Sequence, residues 1–77
     1  MISGASNPID SHIGHRMQLA RALAGQNLND VAAALSITPS QLRAYESGER
    51  IGASLLFVFA QHLNQPISYF FDGLLED

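Results

Sequence analysis

The stretch Asn27-Leu28-Asn29-Asp30-Val31-Ala32-Ala33-Ala34-Leu35-Ser36-Ile37-Thr38-Pro39-Ser40-Gln41-Leu42-Arg43-Ala44-Tyr45-Glu46 decides the fold. It reads as two short helices joined by a tight turn. Asn27 is a good N-cap, and Asp30 stands three residues on, where a carboxylate variant of the capping box belongs. Val31, Ala32 and Leu35 form one buried stripe at helical spacing. Ser36 occupies the turn and Ile37 points inward. Thr38 then caps a second helix whose first residue, Pro39, has no N–H to leave unsatisfied. That helix runs through Leu42 and Tyr45 and stops near Gly48.

On the N-terminal side, Asn7-Pro8 reads as the cap and first residue of another helix, with Asp10 placed where a carboxylate suits the helix dipole. Ile13, Met17, Ala20 and Ala24 give it one apolar stripe, and Gly25 ends it. On the C-terminal side, Arg50-Ile51-Gly52 is a connector, and Gly52 can cap a helix with Ala53, Leu56, Phe59, Ala60 and Leu63 inside. Asn64-Gln65-Pro66 breaks that helix. A short last one is expected from about Pro66 to Phe71, with Ile67 and Phe70 inward. No run alternates as a strand would. The fold class is therefore all-α: a compact five-helix domain over 8–77, preceded by a flexible N-terminal segment, 1–7.

Composition sets the outer bounds. A chain of 77 residues makes one domain at most, and 47% hydrophobic against 14% charged residues argues for a folded one. No apolar run approaches the roughly 18 residues of a membrane span. Met1 to Asn7 lacks the charged and apolar regions of a signal peptide. A soluble cytoplasmic protein is expected, with no membrane partner. The net charge is −3, yet residues 11–63 hold four arginines against three acids, a net of +1.

The residues do not assemble a catalytic set. Ser11, Ser54 and Asp72 combine with no histidine at a defensible spacing. Asp10 and Asp30 belong to helix starts, and no glycine-rich phosphate loop is present. His12 and His15 lie three apart on a helix but have no third ligand, and His62 is on the outer side of its helix, so neither a metal nor another cofactor is expected. The protein is expected to bind rather than to catalyse. A protruding helix about 10–12 Å across fits the major groove of B-DNA, and its N-terminal end should lead because free N–H groups there favour phosphate.

The order Ile13-Gly14-x-Arg16-Met17, Gly25, Val31-Ala32-x-x-Leu35-x-Ile37-Thr38, Leu42-x-x-Tyr45-Glu46-x-Gly48-x-Arg50 resembles the Cro/phage-repressor, or Xre, helix-turn-helix family. The runs Arg50-Ile51-Gly52-Ala53-Ser54 and Pro66 to Gly73 look like a bacterial subgroup of it. The resemblance covers about residues 9–73 and implies a repressor-like, sequence-specific transcriptional regulator that binds double-stranded DNA as a homodimer. Carried over by position, the recognition helix is about 38–47, with Pro39, Ser40, Gln41 and Ala44 facing base edges. Asn27, Arg16, Arg43, Ser47 and Arg50 would contact phosphate. Arg21 and Glu46 fall where the family pairs an arginine and an acid across the fold. Three arginines per subunit, Arg16, Arg43 and Arg50, give about six phosphate contacts per dimer and a log–log salt slope of about −5. The sequence departs from the family at Leu28, where a DNA-contacting glutamine is usual, and at Glu49, close to the expected phosphate path.

Leu55, Phe57, Tyr69, Phe71, Leu74 and Leu75 exceed what one small core needs, and an apolar patch of that kind marks a partner surface. They are candidates for the dimer interface. The alternative function is a protein-interaction module, such as an antitoxin-like partner of a second protein, with DNA binding weak or lost.

Overall fold

The computed structural model describes residues 7–74. The expected segment 1–7, apart from Asn7, lies outside them, as does Leu75. Four α-helices follow in order: α1 (Pro8–Leu23), α2 (Leu28–Ala34), α3 (Pro39–Glu46) and α4 (Ala53–His62). The fifth element is a 3₁₀ helix, Ile67–Phe71, rather than an α-helix. Confined between Pro66 and Gly73, it is short enough for the tighter i to i+3 pattern, as in the Tyr69 N–H bond to the Pro66 carbonyl at 3.0 Å.

Each start has a local cause. The Asn7 side chain accepts from the Ile9 N–H at 2.7 Å, and the Asn27 side chain accepts from Asp30 N–H at 2.8 Å. Thr38 and Gln41 close a reciprocal capping box over the first turn of α3. The ends share one device. Beyond α1, α2, α3 and α4 the chain turns through Gly25, Ser36, Gly48 and Asn64, all with positive φ. At each, two backbone N–H groups reach back to the last turn, as where Ser36 bonds Ala33 O and Ile37 bonds Ala32 O. After α2 this reversal turns the chain at once into α3.

The five elements meet in one core, each supplying at least one residue with no exposure: Met17, Val31 with Ala32, Leu42, Phe59 and Phe70. Burying each of the larger side chains is worth about 1.5–3 kcal/mol relative to leaving it in water. Phe70 packs edge-on against Phe59, with ring centroids 5.8 Å apart, and so ties the 3₁₀ helix to α4. The backbones of α1 and α3 nearly touch at Gly14. A Cβ there would lie 2.9 Å from the Glu46 carbonyl oxygen, and closer still to that of Tyr45.

Three residues expected inside are outside. Ala24 is exposed because it is the C-cap of α1, past the stripe, and Ala53 because it opens α4 at the rim. Ile67 is 39% exposed: Phe70 takes the core position, and Ile67 lines a surface groove instead.

Candidate nucleic-acid interface

The outer face of α3 is held from behind. Leu42 is fully buried, and Tyr45 packs against the core half-buried. This leaves Pro39, Ser40, Gln41 and Arg43 exposed, while Ala44 is half-buried. Pro39 has no N–H, and the Gln41 N–H goes to Thr38 Oγ1 at 3.0 Å. Leu42 N–H bonds the Thr38 carbonyl at 3.1 Å. Among the described residues, the Ser40 N–H is thus the open backbone donor of this turn.

The four arginines have four different fates. Arg21 of α1 meets Glu46 at the end of α3 through two parallel bonds, Nε to Oε2 at 2.7 Å and Nη2 to Oε1 at 2.9 Å. The side chains are 18% and 5% exposed, so the pair is largely shielded from water. The hydrogen bond to Glu46 raises the Arg21 pKa above its ordinary value, desolvation opposes this, and the carboxylate charge adds to it. A further Arg21 bond to the Gln26 carbonyl at 3.3 Å fixes the approach to α2.

Arg16, expected at a phosphate, is engaged within the fold. Its Nε donates to the Tyr69 carbonyl at 2.9 Å, its guanidinium stacks 4.0 Å from the Tyr69 ring centroid, and Nη2 is 3.6 Å from Asp72. The residue braces α1 against the 3₁₀ helix. His12 reinforces the same junction through a 2.6 Å contact between Nε2 and the Asp72 carbonyl. Arg50 is 75% exposed and makes one 3.3 Å contact with Asp10 at the start of α1. Arg43 is exposed and has no side-chain partner among the described residues.

Asn27 and Ser47, also expected at phosphate, have hydrogen bonds within the fold. Asn27 spends both ends of its amide on the cap, accepting from Asp30 N–H and donating to the Asp30 carboxylate at 3.1 Å. Ser47 turns its hydroxyl back to donate to the Arg43 carbonyl at 2.9 Å. Leu28 packs against the core half-buried, which accounts for an apolar residue directly after the Asn27 cap.

A second surface lies on α4 and the 3₁₀ helix. An open groove of about 610 Å³ runs between them, lined by Ile51, Phe57, Val58, Ile67 and Phe71 among others and by no ionisable residue. Phe57 is 51% exposed, Val58 44% and Phe71 43%. Of the other dimer candidates, Leu55 and Tyr69 are half-buried against the core, and Leu74 is half-buried. Sequence reasoning missed Val58 and the outward turn of Ile67. Val58 was legible, since two residues after the buried Leu56 it falls about 200° around the helix, on the opposite face. Among the described residues no helix is long and apolar enough to cross a membrane, and no group of acids and histidines could hold a metal ion.

A compact bundle of short helices, with a capped helix held outward behind a tight turn, defines a helix-turn-helix protein. A sequence model of the helix-turn-helix family matches residues 17–70, and the chain belongs to that family, in its Cro/phage-repressor or Xre branch. An HTH-type transcriptional regulator of Sinorhizobium medicae is 43% identical over 67 residues, covering 86% of this chain and 48% of the relative. One from Rickettsia prowazekii is 36% identical over 69 residues, covering 88% and 53%. The chain therefore spans about half the length of these curated relatives. In structure it is similar to the clp gene regulator ClgR from C. glutamicum, with a TM-score of 0.80 at 21% identity over 86% of this chain and 87% of that one. That likeness concerns the fold. Both of these curated relatives are named as transcriptional regulators.

Proposed function

We propose that the protein is a cytoplasmic, sequence-specific DNA-binding regulator of the repressor kind, acting as a homodimer with α3 in the major groove. The observation that carries this is the outer face of α3. Four consecutive helix positions around its N-terminal turn, Pro39, Ser40, Gln41 and the buried anchor Leu42, are followed by Arg43, the arginine without a partner among the described residues. Ser40 and Gln41 face the base edges, and Arg43 and Arg50 reach phosphate. The contact of Arg50 with Asp10 is exposed, and such pairs are worth about 0–1 kcal/mol, so a phosphate can displace it.

Dimer pairing follows from the same count. One subunit offers two available arginines, too few for tight binding at physiological salt, and a second copy doubles them. The groove between α4 and the 3₁₀ helix suits self-pairing. A two-fold interface sets each patch against itself, and a lining without ionisable groups brings no like charges together. Two recognition helices can then address half-sites one DNA turn, about 34 Å, apart.

The test is fluorescence anisotropy of the purified chain against a pool of random duplexes, followed by sequencing of the retained fraction. Enrichment of a two-fold symmetric sequence supports the reading. Absence of retention at low salt contradicts it. A protein-interaction module is the second reading, favoured by one observation: three of the four arginines are engaged within the fold. Co-purification of a second protein on the apolar groove, with no retained DNA, would be its signature.

A further inference from the structure

The hydrogen bonds at the start of α3 restrict what its most versatile side chain can read. Thr38 N–H points at the Gln41 side-chain amide, 3.0 Å away. A backbone N–H can only donate, so the amide atom facing it is the carbonyl oxygen, Oε1. The Thr38 hydroxyl lies 3.4 Å from the same oxygen and accepts the Gln41 backbone N–H on its own lone pair at 3.0 Å. Oε1 therefore faces into the capping box, bonded to the Thr38 N–H. Gln41 is exposed, and what it presents outward is its –NH₂ group, a pair of donors with no acceptor beside them.

An unconstrained glutamine pairs best with adenine, donating to N7 and accepting from the N6 amino group. Turned outward to accept from N6, Oε1 would leave the capping box and strand the Thr38 N–H. In the major groove, cytosine shows only a donor, which would face the Gln41 donors. Thymine shows one acceptor, O4, beside a methyl group. Guanine alone shows two adjacent acceptors, N7 and O6. We propose that Gln41 is a donor-only reader, held so by Thr38, and that it selects guanine while discriminating against adenine and cytosine. This inference rests on α3 being the helix that enters the groove.

The experiment uses the full chain and two arms. In the first, wild-type protein and Gln41→Glu are each taken through selection from random duplexes. A glutamate oxygen still accepts the Thr38 N–H, so the box closes and the helical circular dichroism is expected to be unchanged, while both outward donors are gone. The expected result is one position per half-site that is guanine for wild type and loses that preference in Gln41→Glu, with about a 5- to 150-fold loss of affinity for the wild-type site. In the second arm, wild-type protein is tested on its selected site with 7-deazaguanine, which lacks the N7 acceptor, at each guanine in turn. Weakened binding is expected at the position that Gln41→Glu releases, or, if that variant does not fold, at one guanine per half-site. Adenine at that position, an unchanged preference in Gln41→Glu, or indifference to 7-deazaguanine throughout would overturn the donor-only reading and leave DNA binding intact. Failure of wild-type protein to retain any duplex would overturn both.

Discussion

Arg21 and Glu46 join the first helix to the end of the third through two parallel charge-assisted bonds of 2.7 and 2.9 Å, in a site where the carboxylate side chain is 5% exposed. The pair sets the angle at which α3 leaves the core, because it grips the last residue of that helix while Leu42 anchors its middle. Its energetic role follows from shielding. The desolvation of two charges offsets much of their attraction, so the intact pair stabilises modestly, whereas removing one partner leaves the other charged and poorly hydrated.

Arg21→Ala is expected to cost about 3 kcal/mol of unfolding free energy, and Glu46→Ala a similar amount. The double variant should lose less than the sum of the two, with a coupling of about 1–3 kcal/mol. Urea unfolding of the four proteins measures the cycle. Strict additivity would show that the pair is incidental.

Gly14 sets two effects against each other. Alanine in the middle of α1 gains about 1 kcal/mol of helix propensity over glycine. The added methyl, however, would stand 2.9 Å from the Glu46 carbonyl oxygen and nearer still to that of Tyr45, and neither backbone atom can swing aside as a side chain would. Overpacking of this kind costs about 1–3 kcal/mol, and here the lower end is the least to be expected. Gly14→Ala should therefore lower the midpoint of thermal unfolding, by several degrees for a net loss of about 1 kcal/mol in a domain of this size. A raised midpoint would mean that α1 and α3 are not in backbone contact.

The apolar groove yields a prediction about association without one about folding. Phe57 is 51% exposed and leaves the fully buried Phe59 of the same helix undisturbed. Phe57→Asp is expected to keep native helical content while shifting the protein from dimer to monomer by sedimentation. It should also weaken DNA binding by about the factor that loss of the second half-site entails. A wild-type protein that sediments as a monomer at micromolar concentration, or a Phe57→Asp variant that remains dimeric, would place the interface elsewhere.

The sequence made most of the scaffold legible because the scaffold is built from local signals. Asn7, Asn27 and Thr38 announce helix starts through their own side chains, and Gly25, Ser36 and Gly48 mark reversals. The spacing of Met17, Val31, Leu42 and Phe59 marks the inward faces. The last element was harder to type. Between Pro66 and Gly73 the apolar spacing marks a short helix but does not by itself set its hydrogen-bond pattern. The candidate interface was less legible for a related reason. A charged side chain on a helix face is equally consistent with solvent, phosphate or an internal partner, and its neighbours in space decide which. Arg16 finds the Tyr69 carbonyl across 53 residues of chain, a pairing that no local spacing foretells. Ser47 and Asn27 likewise turn to backbone and cap partners that compete with any ligand.

The contacts of Arg16 with Tyr69 and Asp72 bear on what DNA binding should look like. If Arg16 keeps those partners and Arg43 and Arg50 alone reach DNA, a dimer would make about four arginine–phosphate contacts, with a log–log salt slope of about −4 rather than the steeper value expected when Arg16 is included. Arg16→Ala should lower stability by loosening the 3₁₀ helix, and leave the slope unchanged. The most direct test of the account is therefore the salt dependence of operator binding by wild type and Arg43→Ala. A slope near −4 that drops to about −2 in Arg43→Ala, with affinity lost alike on all sequences, is the predicted result. A slope near zero, or one that Arg43→Ala leaves unchanged, would contradict the claim that the outer face of α3 docks on DNA.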